Sequence, residues 1–152
     1  MSRAPVGVGA ALLALALPLV LAGCGNDDPF ADYCSEVKEQ QRDLTEAFAD
    51  RGPTALIDAL PSFRALQQEA PRDIADDWDV LVTRIDALVG ALQDADVDPA
   101  TYDAAKPPAG LGEQETTAIE AAADELAGPG ARSALTAVDQ QARDVCKTPL
   151  YL

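Results

Sequence analysis

The chain has 152 residues, of which 26 are Asp or Glu and 11 are Lys or Arg, giving a net charge of −15 with no histidine. That excess of negative charge repels nucleic acid and anionic headgroups, which excludes both as electrostatic partners. The lack of histidine removes the commonest general base and the commonest transition-metal ligand.

In chain order, Arg3 and the N-terminal amine make a short positive region, and Val6 to Leu21 follows as an uncharged Leu/Ala/Val run. The run is short for a transmembrane helix, and Pro18 and Gly23 argue further against one. Small Ala22 and Gly23 then place Cys24 where the apolar run stops, which is signal-peptide architecture. Leu21-Ala22-Gly23-Cys24 resembles the lipobox of bacterial lipoproteins. The resemblance implies a signal peptide over residues 1–23 and acylation of the Cys24 thiol with fatty chains such as palmitate. Cys24 would then begin the mature chain, held on the extracytoplasmic face of the cell membrane. Diacylglycerol plus an N-acyl chain supplies the two or more chains that stable anchoring requires. Residues 24–29 form a tether; Gly25 to Pro29, fully extended, spans about 17 Å and holds the domain close to the bilayer.

Acylation of Cys24 leaves Cys34 and Cys146 as an even pair in an oxidising compartment. A Cys34–Cys146 disulfide is the pairing compatible with the lipobox, and closing so long a loop contributes about 4–5 kcal/mol in the chain-entropy model. Residues 30–152 suffice for one core and one domain. Without the leader, 10 basic and 26 acidic residues give −16, read as a solvated face that maintains solubility. The acyl chains must therefore bind the membrane unaided. Eight Arg against three Lys, with abundant Ala and Asp, resembles the composition of high-GC actinobacterial proteins.

Beyond the tether the pattern is helical throughout, so the fold is all-α. Asp28 is a candidate N-cap with Pro29 at the first helical position, and Phe30, Tyr33, Val37, Leu44 and Phe48 follow at helical steps. Gly52-Pro53 ends this first helix. A second runs from about Pro53 to Ala70 on Leu56, Ile57, Leu60, Phe63 and Leu66, with Pro61 kinking it near Leu60 or splitting it. Pro71 opens the third, where Ile74, Trp78, Leu81, Val82, Ile85, Leu88, Val89 and Leu92 form an unbroken stripe. A long Asp- and Pro-rich loop, Ala95 to Gly112, precedes a fourth helix over roughly Glu113 to Ala127 on Leu111, Ile119, Ala122 and Leu126. Gly128-Pro129-Gly130 breaks it, and a fifth runs to about Cys146 on Leu135, Val138, Ala142 and Val145.

These elements read as an up-down bundle of about five helices closed by the disulfide. Helices one to three alternate through short connections. With Cys34 and Cys146 at one end, the fifth helix must run toward that end. If the Gly128-Pro129-Gly130 link reverses the chain, the fourth helix lies parallel to the third and Ala95–Gly112 is a crossover the length of the bundle. The alternative is a four-helix layout with the fourth helix capping one end.

No residue pattern marks a catalytic site: no Gly-x-Ser-x-Gly turn is present, and nothing singles out a carboxylate pair. No cofactor motif is visible either. Asp94-Ala95-Asp96-Val97-Asp98 mimics the first ligand positions of a calcium loop, but Pro99 stands at the sixth position and Ala105 at the twelfth. Asp94, Asp96, Asp98 and Asp103 are thus candidates only for a calcium contact of another kind. Asp73 and Asp76 suit the positive end of the third helix, and Trp78 amid Asp76, Asp77 and Asp79 reads as core. The loop, with Tyr102 and Pro107-Pro108, is the best candidate binding surface, because long ordered loops on compact domains are uncommon unless used.

Tyr33-Cys34, Ala70-Pro71-Arg72-Asp73-Ile74-Ala75-Asp76-Asp77-Trp78, Lys106-Pro107-Pro108-Ala109-Gly110 and Asp144-Val145-Cys146 look like small actinobacterial lipoproteins. The similarity spans most of the mature domain and implies a helical, disulfide-closed envelope protein with no catalytic residue to carry over. The expectation is a non-catalytic interaction or accessory module of the cell envelope whose partner is another envelope protein. A small-ligand or divalent-cation carrier is the alternative.

Overall fold

The computed structural model describes residues 28–49 and 52–152. The signal peptide, Cys24 and most of the tether lie outside the described residues. Six helices pack together, α1 Ala31–Ala49, α2 Ala55–Asp58, α3 Leu60–Gln68, α4 Ala75–Asp94, α5 Glu113–Ala127 and α6 Pro129–Val145, with no strand among the described residues. A 3-10 turn, Pro99–Thr101, interrupts the long loop.

Local chemistry explains the boundaries. The Asp28 carboxylate accepts from the Phe30 N–H at 3.0 Å, so Asp28 caps α1 as its side chain suggests. The expected second helix is split: Pro61 has no N–H to continue the ladder and its ring crowds the carbonyl four residues back. α2 therefore ends at Asp58 and α3 starts at Leu60. Pro71 opens a single turn, closed by the Ile74 N–H on the Pro71 carbonyl at 3.1 Å, before α4 proper.

α4 is the centre of the domain and packs against α3, α5 and α6. Trp78, Leu81, Val82, Ile85, Leu88 and Leu92 are all buried along its length. Tyr33, Val37 and Leu44 of α1, Phe63 and Leu66 of α3, and Val138 and Ala142 of α6 close the core around it. At one end an aromatic chain runs through it. Phe63 lies 5.6 Å from Trp78 and 6.3 Å from Phe48, and Phe48 lies 4.7 Å from Tyr151.

The C-terminal tail, whose course the sequence leaves open, packs back along α1. Gln41 Nε2 donates to the Pro149 carbonyl at 2.6 Å, the Leu152 N–H donates to Thr45 Oγ1 at 3.0 Å, and Leu150 is fully buried. Just before the tail, Cys146 is bonded to Cys34 with Cα atoms 5.1 Å apart, joining residues 112 positions apart in sequence. The disulfide thus fastens the start of α1 to the end of α6.

The parallel course expected for the helix after the long loop is corrected. Gln114, Glu115 and Ala118 at the start of α5 face Gly90, Ala91, Asp94 and Ala95 at the end of α4. Glu125, near the end of α5, meets Arg84 in the middle of α4, whose Nη1 donates to the Glu125 carbonyl at 2.7 Å. α5 is therefore antiparallel to α4, and the long loop, packed through its 3-10 turn on α2 and α4, covers the end of the bundle. The false step was to read the Gly128-Pro129 link as a reversal. Only Gly128, extended at φ −68° and ψ 167°, separates α5 from α6. Gly130 then lies beside the Arg84 guanidinium, so α6 begins where α5 ends, at mid-α4, and carries on to the disulfide end.

Two stability measurements follow. Trp78→Ala should lower unfolding free energy by about 3–5 kcal/mol, a large share of the ~5–15 kcal/mol usual for a domain; wild-type tryptophan emission should be blue-shifted and resistant to iodide. Replacing Cys34 and Cys146 by Ser should cost about 2–5 kcal/mol in denaturant unfolding, and peptide mapping without reductant should recover the two cysteines as one linked pair.

Candidate functional site

Cys24 lies outside the described residues, so the lipidation site is approached only through the domain it would tether. That domain begins, at Asp28, in the turn leading into α1, and Cys34 is in the first turn of α1. The tethered end and the disulfide end are thus the same end of the bundle.

The four loop aspartates do not assemble. Asp96 sits in the left-handed region at φ 54°, with the Val97 N–H bonded to the Leu92 carbonyl at 2.8 Å and the Asp96 N–H to the Gln93 carbonyl at 3.0 Å. That pairing is a Schellman stop to α4, with Asp at the position usually held by glycine. Asp98 Oδ1 accepts from the Ala100 N–H at 3.0 Å and begins the 3-10 turn. Asp103 Oδ1 accepts from the Ala105 N–H at 2.9 Å. Three of the four aspartates therefore shape the backbone of their own loop, and among the described residues no three acidic or cysteine side chains converge on one point. Tyr102, read as part of a binding surface, is 6% exposed and anchors the loop to the core; Pro107 and Pro108 are exposed.

At the opposite end, Trp78 is fully buried and donates from Nε1 to the Tyr33 hydroxyl at 3.3 Å. Burial pushes the Tyr33 phenol up to about 12, with the charge of Asp73 adding to the rise and the Trp78 hydrogen bond opposing it. The hydroxyl therefore stays protonated throughout the physiological range. Both aromatics are structural, and the aspartates around Trp78 do not reach an open indole face.

The most open apolar feature lies between α4 and α5. Ala87, Gly90, Ala91 and Ala95 of α4 and Ala118 of α5 line a groove of about 470 Å³, with Asp94 and Glu115 on its rim. The volume falls within the range of small binding pockets. Glu115 Oε2 also accepts from the Gly112 N–H at 2.8 Å, which fixes that carboxylate at the start of α5. Gly90 lies inside α4, and a Cβ built on it meets no atom within 4 Å. Nothing in the fold requires glycine there. Sequence reasoning passed over this groove because alanine and glycine at helical spacing carry no contrast; the one signal was a glycine inside the strongest helix.

No family model, curated protein or solved structure matches the chain.

Glycine inside a helix is disfavoured relative to alanine, and Gly90 has room for a methyl group. Gly90→Ala should raise stability by roughly 0.5–1 kcal/mol, measured as a higher denaturation midpoint with an unchanged slope.

Proposed function

We propose that this protein is an exported lipoprotein, anchored through acylated Cys24, that serves as a non-catalytic interaction module of the cell envelope. The observation that carries the reading is the position of Cys24. It ends the uncharged N-terminal run, and four residues later Asp28 begins the turn that leads into α1. The Cys34–Cys146 bond supports it, because such bonds persist in exported proteins and are rare in the cytosol. No helix among the described residues is long and apolar enough to cross a membrane, so retention would fall to the acyl chains.

The interaction-module reading draws support from how the polar groups are used. The loop carboxylates bond their own backbone, and the buried aromatics fill the core. The surface left for recognition is the α4–α5 groove and its acidic surroundings. A cation carrier built on the loop would have to break the turns that Asp98 and Asp103 now hold.

The test is Cys24→Ser in the native envelope. The wild type should fractionate with membranes, and globomycin should accumulate its unprocessed form; the variant should appear unprocessed or released. Equal membrane retention of both chains overturns the anchor.

A further inference from the structure

We propose that the α4–α5 groove is a docking site for a cationic, alanine-rich helical segment of another envelope protein. The proposal deepens the interaction-module reading and rests on it. Two properties of the groove define the shape of the occupant. Its floor is formed by Gly90, Ala91, Ala95 and Ala118, so no long side chain holds a visitor away from either helix backbone. Packed helices sit about 8–10 Å apart, according to the side chains at the contact, and small residues favour the short end of that range. The Gly90 position is open above its Cα, and the close approach of another backbone supplies the reason for glycine that the fold itself lacks.

Charge decides which helix enters. Asp94 and Glu115 stand on the rim, both exposed, and among the described residues neither is paired with a Lys or Arg. Asp96, Asp98 and Glu113, also exposed, lie close by in sequence. An anionic bilayer or a second copy of this acidic chain would bring like charge against that rim, whereas lysines flanking a small-residue face would meet Asp94 and Glu115 directly. Position agrees with charge. Along α4, Gly90 is about 18 Å from Trp78 at the disulfide end, so with Cys24 anchored the groove is displaced from the membrane toward neighbouring proteins.

The experiment uses the full chain purified in a non-ionic detergent and a synthetic helical peptide of Ala-Ala-Ala-Lys repeats, with the corresponding Glu peptide as control. Binding is followed by amide chemical shifts and by titration. The Lys peptide should bind with shifts centred on Ala91 and Ala118, and the Glu peptide should not bind. Gly90→Leu, which fills the groove, should weaken binding by about tenfold or more while the melting temperature is held or raised. Asp94→Asn with Glu115→Gln should weaken it comparably. Asp32→Asn with Asp76→Asn, which removes equal charge from the disulfide end, should change affinity by less than about twofold.

No binding of the Lys peptide, or equal weakening by the two charge-removing pairs, overturns the proposal. So does a concentration-dependent dimer of the chain alone that Gly90→Leu dissociates, since the occupant would then be a second copy. The Cys24→Ser chain should bind the peptide as the wild type does. Membrane retention of that variant would count against the anchor and leave the groove result standing; loss of peptide binding with normal lipidation would do the reverse.

Discussion

The indole of Trp78 is the contact on which the arrangement turns. It is the largest side chain of the core, fully enclosed, and it projects from the helix that touches most of the others. An indole can be buried there only if its N–H finds an acceptor, since an unpaired buried donor costs about 1–3 kcal/mol. Tyr33 supplies that acceptor from α1, one residue before Cys34. The same short stretch of α1 thus satisfies the central helix and bonds covalently to the end of α6. Apolar packing, the hydrogen bond and the disulfide all hold one end of the bundle, and each keeps the others in register.

The tail extends that logic along α1. A chain leaving α6 at Cys146 could fray, but Lys147 turns it through a left-handed conformation and Gln41, Thr45 and Asp139 take up its backbone groups. Leu150 fills the space between α1 and α6, and Tyr151 extends the aromatic chain begun by Trp78. Only part of this was legible in the sequence. Leu150 and Tyr151 carry no periodicity of their own, and their burial depends on partners 100 residues earlier that no local rule connects to them.

Elements marked by strong local chemistry were read closely. The α4 stripe was evident because large apolar residues recur without a break, and α5 fell at Glu113–Ala127 because Gly112 and Gly128 bracket it. Pro61 announced a split for a reason intrinsic to proline. What failed was the step from a link's length to its direction: a single extended Gly128 changes course without reversing it. A Cβ at Gly128 would stand 3.0 Å from the Glu125 carbonyl oxygen, so the bend is set by a close backbone approach rather than by the number of linking residues. Tyr102 was misread for a related reason. In an Asp- and Pro-rich loop an aromatic looks exposed, and its burial becomes visible only once the loop is seen to fold over the bundle's end.

The same comparison separates the residues that build the domain from those left over. Asp96, Asp98 and Asp103, which resemble ligands in sequence, are needed to stop a helix and turn a loop. Trp78 and Tyr33, which resemble a binding platform, are needed to fill and satisfy the core. Once these are assigned, Gly90 stands out because it does neither: it weakens the helix that carries the core and relieves no clash. A stability deficit of that kind, placed beside the most open apolar groove of an acidic domain, is the one local choice in α4 that the fold does not account for. A reason outside the fold is what the groove supplies, because a neighbouring backbone can approach a glycine more closely than any other residue.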